Sequence, residues 1–350
     1  MNRQGATLFN PIAVLGTTLL LSSVSHAVQA ATFIGEPLFS EVRQYSTEIE
    51  LDPTDIYYPV VSDPTVSTPI VLLLQGALVD KADYSIYASI VASYGFTVVA
   101  PNNLRTIPGP GGVPFTGLLP EQRQVPAVLE FMALENTDPT SPVTGLLDTN
   151  SLGLLGHSFG GAVGIASVQD NCFPGLCTDS YSFPEELKAG IFYGAGFDLS
   201  DVGFPGVPPI DNQAPIGLIL GTRDGVIRPD SPVTTYNNIL NQPKLFVELE
   251  GANHYGITNE NNPIRAVNDP TLEQDIATET IARWSAAFLQ AYILDDPAAL
   301  EYVNVSGDAQ DPNVTVTNVA KIPESSYGAG LFVVPLLLFR RRILSYLKSI

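Results

Sequence analysis

Two kinds of apolar segment alternate along the chain. Short continuous runs occur at Pro69–Leu74, Gly95–Ala100, Leu152–Leu155, Ala189–Tyr193, Pro215–Leu220 and Leu245–Leu249. They are too short for helices and show no polar face, the pattern of parallel strands buried on both sides. Between them, apolar residues recur at helical spacing over Tyr84–Tyr94, Gln122–Leu134 and Gly161–Val168, and a long amphipathic stretch covers Thr271–Ile293. Glu41–Leu51 and Asp55–Val60 read as two further strands, the first exposed. Strands alternating with helices predict an α/β fold with a mostly parallel central sheet and helices on both faces. Pro108–Gly117 and Cys172–Pro184 read as long irregular loops, which either line a cleft at the carboxyl ends of the strands or simply connect elements.

At 350 residues with 45% apolar content, the chain can build one domain of about 250–270 residues with terminal appendages. The pattern divides it into residues 1–30, a folded domain over 31–297, a polar linker over 298–327 and a tail over 328–350. The formal net charge is −20, from 36 acidic and 16 basic residues. Such a chain has little with which to displace counterions from a phosphate backbone, so nucleic acid is excluded as a partner.

Met1–Gln4 supplies a short basic start, Pro11–Val24 an apolar middle and Ala27–Ala31 a run of small residues. This is the layout of a secretory signal cleaved after Ala30, with Ala27 as the alternative site and a retained anchor as the competing reading. Export would place the protein in the periplasm, at the cell surface or outside the cell. It would also let the only two cysteines, Cys172 and Cys177, form a local disulfide rather than remain free thiols. With no histidine near them, they do not suggest a metal site.

The candidate chemistry centres on Gly156-His157-Ser158-Phe159-Gly160-Gly161, which follows the apolar run ending at Leu155. Gly-x-Ser-x-Gly between a buried strand and a helix marks a sharp turn that presents a nucleophilic serine, with glycines where strand and helix pack close together. A serine needs a base, and the chain has 3 histidines. His26 falls in the segment read as removed, and His157 would point away from its neighbour Ser158. His254 remains, in a loop after Lys244–Leu249. The third member should lie between them in the chain. Asp224, just past the strand ending at Leu220, is the first candidate for the acid that orients His254, and Asp198 is the competitor. An oxyanion hole would take the backbone N–H of Phe159 and of Ala77, the latter after the sharp Gln75-Gly76 turn.

With these residues in place, the core from about Ile56 to Tyr292 resembles the α/β-hydrolase superfamily. Pro69–Gly76 and Tyr94–Pro101 are similar to the chlorophyllase branch, and Gly-His-Ser-Phe-Gly-Gly is also similar to the platelet-activating-factor acetylhydrolase and polyester-hydrolase branches. The resemblance implies a serine carboxylic-ester hydrolase with Ser158, Asp224 and His254 as its triad. It implies no cofactor and a small-molecule or lipid-like ester as substrate. Gln75 stands where a histidine commonly precedes the glycine, and Phe159 where chlorophyllases carry arginine; the second departure argues against chlorophyll. At the other end, Ile322-Pro323-Glu324-Ser325, the apolar Gly328–Phe339 and Arg340–Arg342 resemble the bacterial PEP-CTERM sorting tail, which implies a membrane tether. A short amphipathic terminal helix is the competing reading. The remaining alternative for the whole chain is a non-catalytic surface binding protein on the same scaffold, or a thioesterase or peptidase with the same triad.

Overall fold

Alternate residues of the first fully buried strand face different helices, and this sets the layers of the molecule. The computed structural model describes residues 35–108, 113–198, 200, 206–228 and 230–319. In β3 (Thr68–Leu74), Val71 and Leu73 enter a core with Tyr87 and Val91 of α1 (Ser85–Ser93) and with Trp284 and Phe288 of α5 (Gln274–Ile293). Ile70, Leu72 and Leu74 enter the opposite core, with Val128 of α2 (Gln124–Glu135), Val163 of α3 (Phe159–Ser167) and Tyr236 of α4 (Ser231–Asn238). Continuous apolar runs are therefore what this sheet requires, because both faces are covered.

Among the described residues the sheet has nine strands, in the order β1-β2-β4-β3-β7-β8-β9-β10-β11. Those not yet placed are β1 (Val42–Ile49), β2 (Asp52–Pro59), β4 (Thr97–Pro101), β7 (Leu147–His157), β8 (Leu187–Tyr193), β9 (Ile216–Gly221), β10 (Lys244–Leu249) and β11 (Val314–Val319). The six strands from β4 to β10 run parallel, while β1, β2 and β11 add antiparallel edges. The chain moves outward from β3 to β4, then returns to place β7 on the other side of β3. Strand order thus reverses between β3 and β7, the place where sheets of this kind hold ligands beyond the carboxyl ends of their strands.

Two expectations change. The stretch read as a linker from residue 298 is folded up to residue 319, so the domain boundary moves beyond 297. Pro297–Glu301 forms α6, Tyr302–Ser306 a π-helical turn, Gly307–Gln310 α7, and β11 pairs with β10, Val316 opposite Val247. Polar composition concealed this because the burial is one-sided: Val314 is buried while Thr315 and Thr317 are exposed. Trp284 fastens the segment, its ring tilted against Tyr302 with centroids 4.9 Å apart and its Nε1 donating to Asp311 Oδ2 at 3.1 Å. The Arg283 guanidinium pairs with the same Asp311 carboxylate at 2.9 Å.

The second change concerns Pro108–Gly117, read as irregular. β5 (Leu104–Pro108) and β6 (Pro114–Leu118) pair antiparallel across it, Arg105 opposite Gly117. The hairpin has little buried face, so no alternation betrays it. The expected signal segment 1–30, the end of the expected linker and the tail 328–350 lie outside the described residues. Among the described residues no helix is long and apolar enough to cross a membrane.

Candidate active site

β7 ends at His157, so Ser158 lies at the carboxyl ends of the parallel strands, and α3 leaves immediately behind it. Ser158 has φ 54° and ψ −119°, a conformation that costs a non-glycine residue about 1–3 kcal/mol. Its N–H is anchored to the Tyr193 carbonyl at 3.0 Å, at the end of β8. The turn can be this tight because Gly160 has no side chain: a Cβ there would run into the Leu74 carbonyl oxygen, at the end of β3. The start of α3 therefore rests directly against the chain that continues into Gln75, Gly76 and Ala77. Ser158 is half-buried, and its hydroxyl makes no hydrogen bond among the described residues.

Asp224 lies in the turn after β9, where its N–H bonds back to the Gly221 carbonyl at 2.9 Å. Its Oδ1 accepts from the N–H groups of Val226 (2.9 Å) and Ile227 (3.3 Å), which leaves Oδ2 aimed at His254 Nδ1, 2.7 Å away. The two side chains are 1% and 3% exposed, so this contact is shielded from water and salt. Asp198 is engaged elsewhere: it forms an ion pair with Arg228 and accepts from the Ser200 N–H. The structure thus brings Asp224, and not Asp198, to His254.

Gly194 makes room for the pair. It has φ +55°, and a Cβ there would stand 3.1 Å from both Asp224 Oδ2 and His254 Nδ1. Since Ser158 N–H binds the carbonyl of the preceding Tyr193, Ser158 and His254 flank the same short segment of backbone. The histidine loop is itself pinned. Asn253 donates to Asn261 Oδ1 and to the Asn268 carbonyl, both at 2.9 Å, and accepts the Tyr255 N–H at 3.0 Å. Tyr193 Oη donates to the Asn253 carbonyl; burial first, then the nearby Asp224 charge, raises the Tyr193 phenol well above its ordinary range.

The two candidate oxyanion donors lie at the start of α3 and in the loop after β3. The Phe159 N–H opens α3 and so has no acceptor within its helix. The Ala77 N–H makes no hydrogen bond among the described residues. Gln75 ties neighbouring loops together. Its carboxamide donates to the Pro101 carbonyl at 3.1 Å and accepts from the Asn103 N–H at 3.0 Å. Arg265 fixes the next stretch from outside, donating to the carbonyls of Ala77 (2.8 Å) and Leu78 (3.1 Å) while lying over the Tyr255 ring. No sequence pattern marks Arg265 or Gly194, because each acts across the fold on a partner far away in the chain.

His157 points away from Ser158, as its place in the turn requires, and is fully buried. Burial, followed by the proximity of His254, drives its imidazole well below the ordinary range, so the ring is neutral. Its Nδ1 lies 2.8 Å from Tyr84 Oη and its Nε2 2.9 Å from the His254 carbonyl.

Phe173 and Tyr255 are packed inside, Phe173 edge-on to Phe197. Phe159 packs partly against the core that includes α3, and Phe115 faces solvent on the β5–β6 hairpin. Cys172 and Cys177 lie at disulfide distance, with Cα atoms 5.4 Å apart. A cavity of about 220 Å³ opens beside the site between Leu78, Asp83, Tyr255 and Arg265. A larger one of about 630 Å³, lined by Arg43, Tyr58, Pro142 and Leu146 among others, sits at the amino ends of β3 and β7. Its lining lacks a nucleophile with a base, so the candidate site is placed by chemistry rather than by size.

Among the described residues no cluster of three or more His, Cys, Asp or Glu side chains is arranged to hold a metal ion. Neither a protein-family model nor a curated protein matches the chain.

Proposed function

We propose that the protein is a serine carboxylic-ester hydrolase on an α/β-hydrolase fold. The observation that carries this reading is the buried Asp224–His254 contact of 2.7 Å, set beside a serine held at positive φ. In this reading Ser158 Oγ attacks the ester carbonyl carbon and its proton passes to His254 Nε2. Asp224 holds His254 with Nδ1 protonated and stabilises the imidazolium. The N–H groups of Phe159 and Ala77 bind the alkoxide of the tetrahedral intermediate. Collapse expels the alcohol, which takes the proton from His254, and water then releases the acid by the same steps. No cofactor takes part.

The strand order and the chain order Ser158, Asp224, His254 support the fold assignment. Exposed Leu78 and Phe115 support an apolar ester as substrate: they are 49% and 39% exposed, and they meet over Gly117 where the hairpin touches the Ala77 loop. The cysteine pair at bonding distance supports an exported protein, tethered through the tail if that segment acts as its pattern implies. A scaffold that only binds has no use for a strained serine beside an Asp–His pair. A panel of p-nitrophenyl esters of increasing acyl length, with chlorophyll and a polyester film alongside, tests the reading. Turnover of medium-chain esters is expected; no turnover of any ester counts against it and redirects the triad to thioester or peptide bonds.

A further inference from the structure

One line of hydrogen bonds crosses the floor of the site, and its proton directions are forced. The Gly76 N–H can only donate, and it donates to Tyr84 Oη at 2.8 Å. The single phenolic proton is then left for His157 Nδ1, 2.8 Å away. A neutral imidazole that accepts at Nδ1 carries its proton on Nε2, which faces the His254 carbonyl oxygen at 2.9 Å. The opposite tautomer would set the Nε2 lone pair against the lone pairs of that carbonyl. Tyr84 and His157 are wholly buried and His254 is 2% exposed, so these bonds are shielded from bulk solvent. Among the described residues His157 is the sole donor to the His254 carbonyl.

The line joins three segments that are distant in sequence: the loop carrying Ala77, the turn carrying Ser158 and the loop carrying His254. It grips main-chain atoms, leaving the groups assigned to the reaction free. A phenylalanine would fill the space of His157, yet it would strand the Tyr84 hydroxyl proton and the His254 carbonyl. We propose that Tyr84 and His157 are positioning residues that hold the Gly76–Ala77 backbone and the His254 backbone in register, so that the Ala77 N–H and the His254 imidazole face one reacting carbonyl. This rests on the ester-hydrolase reading of the same site.

The test uses the full chain and its Tyr84→Phe, His157→Phe and His157→Gln variants. Ester kinetics and thermal melts are measured on all four, and imidazole nitrogen NMR on ¹⁵N-histidine protein. Tyr84→Phe should stay folded and lose about 10- to 100-fold in kcat with KM nearly unchanged, the scale of a small misplacement of reacting groups. His157→Phe should lose more, and His157→Gln, whose amide can still donate toward the His254 carbonyl, should recover part of it. In the unmodified protein the His157 ring should remain an Nε2–H tautomer from pH 5 to 8. Folded Tyr84→Phe and His157→Phe variants with full kcat would overturn the proposal. So would a His157 ring that titrates in that range or carries its proton on Nδ1, a result that needs no variant to fold. A wild-type chain inert to every ester but with the expected tautomer would instead overturn the hydrolase reading, and with it the catalytic meaning of the line.

Discussion

Asp224 and His254 meet at 2.7 Å with neither side chain appreciably in contact with water. They come from the ends of two neighbouring parallel strands, and Gly194, just past the end of the next strand, has no side chain to crowd them. A carboxylate held this way dictates which nitrogen of the imidazole carries the proton, and so which nitrogen is free to act as a base.

Replacing the acid should therefore abolish the correct tautomer while leaving the shape of the site intact. Asp224→Asn is expected to lower kcat by about 10³- to 10⁴-fold, with a melting temperature close to that of the parent. Asp198→Asn, which breaks only the contact with Arg228, should retain most activity. Steady-state kinetics on both variants decide the matter, and a reversed ranking would move the acid to the loop after β8.

Arg265 is exposed, yet it holds two carbonyls of the loop that carries the Ala77 N–H. Arg265→Ala should loosen that loop and reduce kcat by about 10-fold, less than the 10²–10³ typical of removing an oxyanion donor outright. Arg265→Lys should fall between, since an ammonium lacks the planar fork that reaches both oxygens. Equal kcat in all three proteins would show that the loop holds its shape without the guanidinium.

The parallel strands, the serine turn and the order of the three proposed catalytic residues were legible because each is written locally, in a continuous apolar run or a six-residue motif. What the sequence hid depends on contacts across the fold. β11 looks like linker because only one face of Val314-Thr315-Val316-Thr317 meets the core. Arg265, Gly194 and Tyr84 matter through partners up to 188 positions away, as between Arg265 and Ala77, and no periodicity records such a pairing. Asp198 and Asp224 both follow strands, so only the folded position of His254 separates them.

The segment after α5 gives a direct test of the revised boundary. A chain ending at Lys321 keeps β11 and the Asp311 contacts to Trp284 and Arg283, and should remain folded and active. A chain ending at Asp296 uncovers Trp284, leaves Arg283 without Asp311 and strips the edge of β10. Its melting temperature should fall by more than about 10 °C, if it stays soluble at all. Identical melts for the two truncations would mean that α6 to β11 adds nothing to the core.

Burial lifts the carboxyl of Asp52 from an ordinary 3.8 to about 6; a long bond from the Leu104 N–H and the nearby Arg123 charge oppose it only in part. The folded state therefore holds this proton more tightly than the unfolded state does. The stabilisation is complete below about pH 4 and is lost as pH rises through 6. Asp52→Asn should raise the melting temperature at pH 7 and make little difference at pH 4. Melting curves of both proteins across this range would contradict the assignment if the gap narrowed, rather than widened, with rising pH.

If Ser158 is an activated nucleophile, a fluorophosphonate probe reads this without knowledge of the substrate. Intact-mass measurement after incubation should show one adduct per folded chain, located by peptide mapping on Ser158, absent in Ser158→Ala and much slower to form in Asp224→Asn. A folded chain that stays unlabelled, or one labelled at a different serine, would show that Ser158 is not the nucleophile.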